Sequence, residues 1–123
     1  MNMMNKRSNL NGLPDYHMHT VLCKHANGKP SEYRKAAERR GLPEICFADH
    51  VPNPDGYDPG NRMEMAQFPE YRHMVGSLQD GETPNVLLGA EADYYDGCVP
   101  FLREWLPKQG FDLVLGSVHY IDD

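Results

Sequence analysis

No run of apolar residues in this 123-residue chain approaches the roughly 20 needed to span a bilayer. The first twelve residues are polar and Asn-rich and lack the apolar core of a secretory leader; they read as a flexible tail, 1–12. Positive charge is also scarce. Twelve Lys and Arg stand against 18 Asp and Glu, a formal net charge of −6, which argues against a nucleic-acid or membrane surface. Cysteines are few and odd in number: Cys23, Cys46 and Cys98 show no CxxC spacing and do not make a disulfide framework. They read as free thiols in a reducing cytoplasm, with Cys23, near several histidines in sequence, open as a soft metal ligand. There are no repeats, low-complexity tracts or internal linkers. What remains is one domain, 13–123, able to bury a modest core.

What the chain does have is histidine at telling places. A first strand is expected over about Leu13 to His19, in which Asp15, His17 and His19 share a face because strand side chains alternate. His25 follows in a loop. A helix opened by Pro30 and Ser31, with Ser31 as N-cap, is expected to run to about Arg40 and stop at Gly41. A second strand, about Glu44 to Ala48, ends at Asp49-His50. The Pro- and Gly-rich stretch Val51 to Arg62 reads as a long loop of the kind that often carries function. A second helix begins near Phe68-Pro69, with Phe68, Tyr71, Val75 and Leu78 as its buried stripe and His73 off it. A third strand, about Val86 to Ala90, leads into Glu91 and Asp93. A third helix, about Val99 to Lys108, is expected to bury Val99, Leu102 and Leu106. A fourth strand, Asp112 to Gly116, delivers His119.

This is β-loop-α repeated, less the last helix, and it argues for an α/β fold of about four parallel strands with crossover helices. In such folds functional residues gather at the carboxyl ends of strands. Five of the six histidines fall there. His17, His19, His25, His50, Glu91 and His119 are six candidate ligands, more than one zinc takes, so a cluster of two or three ions is expected. Glu91 can bridge two of them through its two oxygens. Closely spaced ions suit phosphate-ester hydrolysis, because they acidify water and neutralise the phosphate. His and carboxylate donors suit Zn, Mn or Fe.

Asp15-Tyr16-His17-Met18-His19 with His25, then Ala48-Asp49-His50, Gly89-Ala90-Glu91-Ala92-Asp93 and Gly116-Ser117-Val118-His119 resemble the successive motifs of the PHP (polymerase and histidinol phosphatase) superfamily. Phe47 to Pro52 and Gly116 to Asp122 most resemble its histidinol-phosphatase branch. The resemblance implies a barrel of the PHP type with a trinuclear metal site. His17 and His19 would hold one ion, Glu91 would bridge to a second held also by His119, and His25 and His50 would hold the third. Asp15 and Asp49 would orient histidines. The implied reaction is hydrolysis of L-histidinol phosphate, a small phosphorylated substrate, to L-histidinol and phosphate in histidine biosynthesis. Arg62 is the candidate phosphate contact.

Family members continue with a further His and an Asp-x-His pair. Four strands make only a partial (β/α) barrel, so the chain reads as the N-terminal part of a PHP metallohydrolase, and the isolated chain is expected to have weak or no phosphatase activity. The alternatives are another PHP metallohydrolase of nuclease or proofreading type, which the charge disfavours, and a metal-binding fragment without activity.

Overall fold

A computed structural model of the chain describes residues 12–121. The expected tail, 1–12, therefore falls outside the described residues except for Gly12. Four strands, β1 (Asp15–Met18), β2 (Glu44–His50), β3 (Asn85–Asp93) and β4 (Leu113–Ser117), form one sheet in the order β1-β2-β3-β4. All three pairings are parallel. Three helices, α1 (Pro30–Arg39), α2 (Phe68–Gly76) and α3 (Val99–Trp105), make the crossovers. No helix among the described residues is long and apolar enough to cross a membrane.

The strands are placed by burial. β2 is buried from Ile45 through His50, as a central parallel strand covered on both faces must be. Its ladder to β3 is unbroken from Glu44↔Asn85 to His50↔Glu91, which sets His50 and Glu91 side by side at the carboxyl edge. Both strands run past their expected ends, Ala48 and Ala90, because Asp49 and His50 on β2 and Glu91 to Asp93 on β3 themselves continue the ladders. β1 is shorter than expected and its register to β2 shifts between Asp15 and Met18, so the simple alternation of Asp15, His17 and His19 is broken. Gly89 is required by packing: a Cβ there would stand 2.5 Å from Cys46 Sγ and 2.8 Å from the Leu113 carbonyl oxygen.

The core lies between the sheet and the first two helices. Ile45, Phe47, Val86 and Leu88 from the strands meet Ala37, Phe68, Tyr71 and Val75 from α1 and α2. Pro30 stands in the first turn of α1, where its missing N–H costs nothing. The N-cap position is Lys29 and makes no side-chain cap bond, which corrects the assignment of Ser31. Tyr71 is the polar member of the core. Its hydroxyl lies 2.7 Å from the Phe47 carbonyl and 2.6 Å from the Gly89 carbonyl and accepts the Asp49 N–H at 3.3 Å, so one side chain of α2 ties β2 to β3. His73 is exposed, as its position off the stripe implies.

The third helix departs from expectation. It ends at Trp105 and continues as a 3-10 turn, Leu106–Lys108. It buries no residue fully, and Val99 is 42% exposed. Trp105 alone reaches inward, edge-on to Phe68 with centroids 4.9 Å apart.

Candidate metal centre

The carboxyl ends of the four strands converge on Glu91, which is 2% exposed. Its two oxygens face different ways. Oε1 lies 2.5 Å from His17 Nε2 and 3.1 Å from His19 Nε2. Oε2 lies 3.3 Å from His119 Nε2 and 3.5 Å from His50 Nδ1. Burial pushes the Glu91 carboxyl up, but donation from His17 and the field of His50 outweigh it, and its pKa ends below the usual range.

The imidazoles pack around this carboxylate at ring-centroid distances of 5.1 Å for His17–His19, 5.0 Å for His19–His50 and 5.1 Å for His50–His119. His25, carried on the loop after the 3-10 turn Val21–Cys23, stands 5.5 Å from His19 and 5.8 Å from His50. All six sequence-derived ligand candidates thus line one pocket of about 410 Å³.

Two aspartates support the ring of histidines from behind. Asp49 is buried on β2 with Oδ1 3.1 Å from His19 Nδ1, an approach too angled for a good hydrogen bond. It also accepts from the backbone N–H of Thr20 at 2.8 Å and from the Thr20 hydroxyl. Burial pushes the His19 pKa down; Asp49 and Glu91 more than offset it, and the net direction is up. Asp93 was named in the sequence but given no role. It accepts from His50 Nδ1 at 2.9 Å, from Arg62 at 2.5 Å and from the Ser117 hydroxyl, and it lies 3.0 Å from His119 Nδ1. Burial alone would raise its pKa, but those donors hold it well below the usual carboxylate range. The usable signal was register: two residues past Glu91 on the same strand, its side chain shares the Glu91 face.

Two expectations need correction. Asp15 is exposed, and its carboxylate accepts the backbone N–H of His17 at 3.0 Å rather than a ring nitrogen; an aspartate at a strand start readily closes such a local turn. Arg62 is 3% exposed and not free to grip a phosphate. Besides Asp93, it donates to the carbonyls of Val51 at 2.8 Å and Asp58 at 3.1 Å. It fastens the long loop to the centre. Cys23 lies within ligand distance of His19 and His25 but is buried, and that burial pushes its thiol up. Asp58, Asn61 and Tyr120 complete the pocket rim.

The donor set fits divalent cations. His17, His19 and Glu91 form one group whose ligand atoms converge, and His50, Glu91, Asp93 and His119 form another. Neutral imidazole and carboxylate are donors for Zn, Mn or Fe.

Known proteins resemble this chain over most of its length. A family model described as PHP domain matches residues 15–123. A probable histidinol-phosphatase of Deinococcus radiodurans is 43% identical over 114 residues, which cover 91% of this chain and 44% of that protein. The histidinol-phosphatase of Lactococcus lactis is 29% identical over 111 residues, covering 89% and 40%. The crystal structure of the Lactococcus lactis histidinol phosphate phosphatase, complexed with Zn, L-histidinol and phosphate, superposes with a TM-score of 0.76 at 28% identity, over 89% of this chain and 41% of that one. A putative histidinol phosphatase from Listeria monocytogenes shares the fold at a TM-score of 0.77 and 22% identity, over 89% and 46%. The chain spans less than half the length of these relatives. The expected fold class, a partial barrel of the PHP type, is the one found.

Proposed function

This chain belongs to the PHP family, and we propose that it is the metal-binding N-terminal portion of a phosphomonoesterase that hydrolyses L-histidinol phosphate to L-histidinol and phosphate. The observation that carries the proposal is the two-sided carboxylate of Glu91, one oxygen toward the His17–His19 pair and the other toward His50 and His119. That is the disposition of a group shared between two cations. The relatives named as histidinol-phosphatases, one of them crystallised with Zn, L-histidinol and phosphate, supply the substrate.

His17, His19 and Glu91 would hold one ion, Glu91 and His119 a second, and His25 and His50 a third. Divalent ions bound here neutralise the phosphate and acidify water at neutral pH. The protein residues do the rest. Asp49 lies behind the His19 ring, 3.1 Å from Nδ1, while Asp93 accepts from His50 Nδ1 and lies 3.0 Å from His119 Nδ1, so a carboxylate backs each of these rings on the side away from the pocket. The buried Arg62–Asp93 pair fixes the rim loop that carries Asp58 and Asn61. The three cysteines form no disulfide and are buried, which supports a reducing, cytoplasmic location.

The test measures metal content and turnover together. The chain is loaded with Zn or Mn, passed through gel filtration and analysed for bound metal, and is then assayed for phosphate release from L-histidinol phosphate and for cleavage of single-stranded DNA. Expected are more than one ion per chain, loss of metal in Glu91→Gln and His17→Ala, and turnover, where it occurs, only of the phosphomonoester. Equal metal content in parent and variants would overturn the assignment of the centre. DNA cleavage in preference to phosphate release would overturn the substrate.

A further inference from the structure

Beside the metal pocket lies a second pocket of about 440 Å³, with Tyr57, Tyr95, Asp96 and Tyr120 in its lining. Tyr120 lines both pockets, so they adjoin. The wall is rigid. The Tyr57 and Tyr95 rings stack at 3.8 Å and 9°. The Arg62 guanidinium lies over Tyr57, 5.1 Å from its centroid, and Tyr120 stands edge-on at 6.3 Å. Arg62 is itself fixed by Asp93, so the aromatic stack is coupled to the carboxylate that positions His50 and His119.

The lining of this second pocket carries one carboxylate, Asp96, and no cation, opposite to what a phosphate needs. Just outside it, Asp55 accepts from the Tyr95 hydroxyl at 2.7 Å, and Asp58, which lines the metal pocket, lies 3.4 Å from the Tyr120 hydroxyl. Arg62, the cation in contact with the stack, is buried and already paired. Aromatic rings combined with the exposed carboxylate of Asp96 favour an organic cation carrying a flat ring. The metal pocket favours the phosphoryl group.

Resting on the reading in the preceding subsection, we propose that the aromatic, acidic pocket holds the cationic, ring-bearing alcohol part of the phosphate ester, with Tyr95 and Asp96 determining specificity. The two pockets then sort the ends of one substrate. A neutral aliphatic phosphate ester meets the metal centre equally well and gains nothing from the second wall.

The experiment is isothermal titration of the Zn-loaded full chain with L-histidinol and, separately, with inorganic phosphate. Tyr95→Ala and Asp96→Asn are each expected to weaken L-histidinol binding roughly tenfold, with metal content and phosphate affinity unchanged. Tyr95→Phe keeps the ring and stays within about twofold of the parent. Asp96 is exposed, so its variant carries the test even where Tyr95→Ala disturbs the loop. Unchanged L-histidinol affinity in Asp96→Asn, or a parent chain that takes up metal and phosphate but not L-histidinol, would overturn the proposal and leave the phosphatase reading standing. A chain that takes up neither metal nor phosphate would defeat both.

Discussion

Replacing Arg62 with methionine separates two roles for the residue, a substrate contact and a structural fastener. The guanidinium is buried and makes three directed bonds, to Asp93 Oδ2 at 2.5 Å, to the Val51 carbonyl at 2.8 Å and to the Asp58 carbonyl at 3.1 Å. Removing one partner of a buried ion pair costs about 3–5 kcal/mol, because the remaining charge is left uncompensated. Asp93 would keep His50 and Ser117 as donors, so the lower end, about 3 kcal/mol, applies to the pair. The Val51 carbonyl belongs to a buried residue, and its lost donor adds about 1 kcal/mol. The Asp58 carbonyl lies in a partly exposed loop, where water replaces the donor. The expected loss is therefore about 4 kcal/mol, a large share of the roughly 5–15 kcal/mol that holds a domain together. The assay is urea unfolding followed by circular dichroism, run with EDTA so that metal binding does not add to the folded state. The midpoint should fall with the slope unchanged. Arg62→Lys, which keeps the charge but not the fork, should fall between the two. A methionine variant with the parent's urea midpoint and a selective loss of phosphate affinity would refute the structural argument and restore Arg62 as a phosphate contact.

Tyr71→Phe leaves the carbonyls of Phe47 and Gly89 without the hydroxyl between them and should cost about 1–3 kcal/mol in the same urea assay. Gly89→Ala presses a methyl against Cys46 Sγ and the Leu113 carbonyl. Backbone atoms cannot yield as a flexible side chain does, so a loss of about 3 kcal/mol, or no folded protein, is expected on thermal scanning. The raised pKa of His19 gives opposite pH slopes to the two forms of the chain. In the metal-free form its stabilisation is complete below the ordinary value of 6.5 and is lost as pH rises through the higher folded value. Metal uptake needs the neutral ring and strengthens over that same interval; calorimetric zinc titrations at a series of pH values would show both.

Element types and their order could be read from the sequence because parallel strands buried on both faces appear as apolar runs, and Pro30, Gly41 and Pro69 punctuate the helices. The convergence of the candidate residues was legible for a similar reason: strand ends mark one edge of such a sheet, so His50, Glu91 and His119 had to share it. What was missed depended on distance in three dimensions. Arg62 sits in a loop where a free arginine and a buried one look alike, and only the position of Asp93 decides between them. Asp15 and Asp49 each lie close to histidines in sequence, yet the register shift in β1 turns Asp15 onto its own backbone while the intact β2 ladder keeps Asp49 behind His19. The third helix was read too deep because Val99, Leu102 and Leu106 are spaced for burial, and periodicity cannot say whether an opposing surface exists.

The sheet order β1-β2-β3-β4 is also the order of synthesis. Each strand pairs with the one made just before it, so a nascent chain can lay down the sheet from one edge without waiting for a distant partner. The candidate metal centre does not share that convenience. His17 and His19 emerge early, but the carboxylate that joins them lies more than seventy residues later, and His119 later still. Sheet assembly is progressive while the side chains that face Glu91 meet late, so during translation the early histidines precede the carboxylate they share by more than seventy residues.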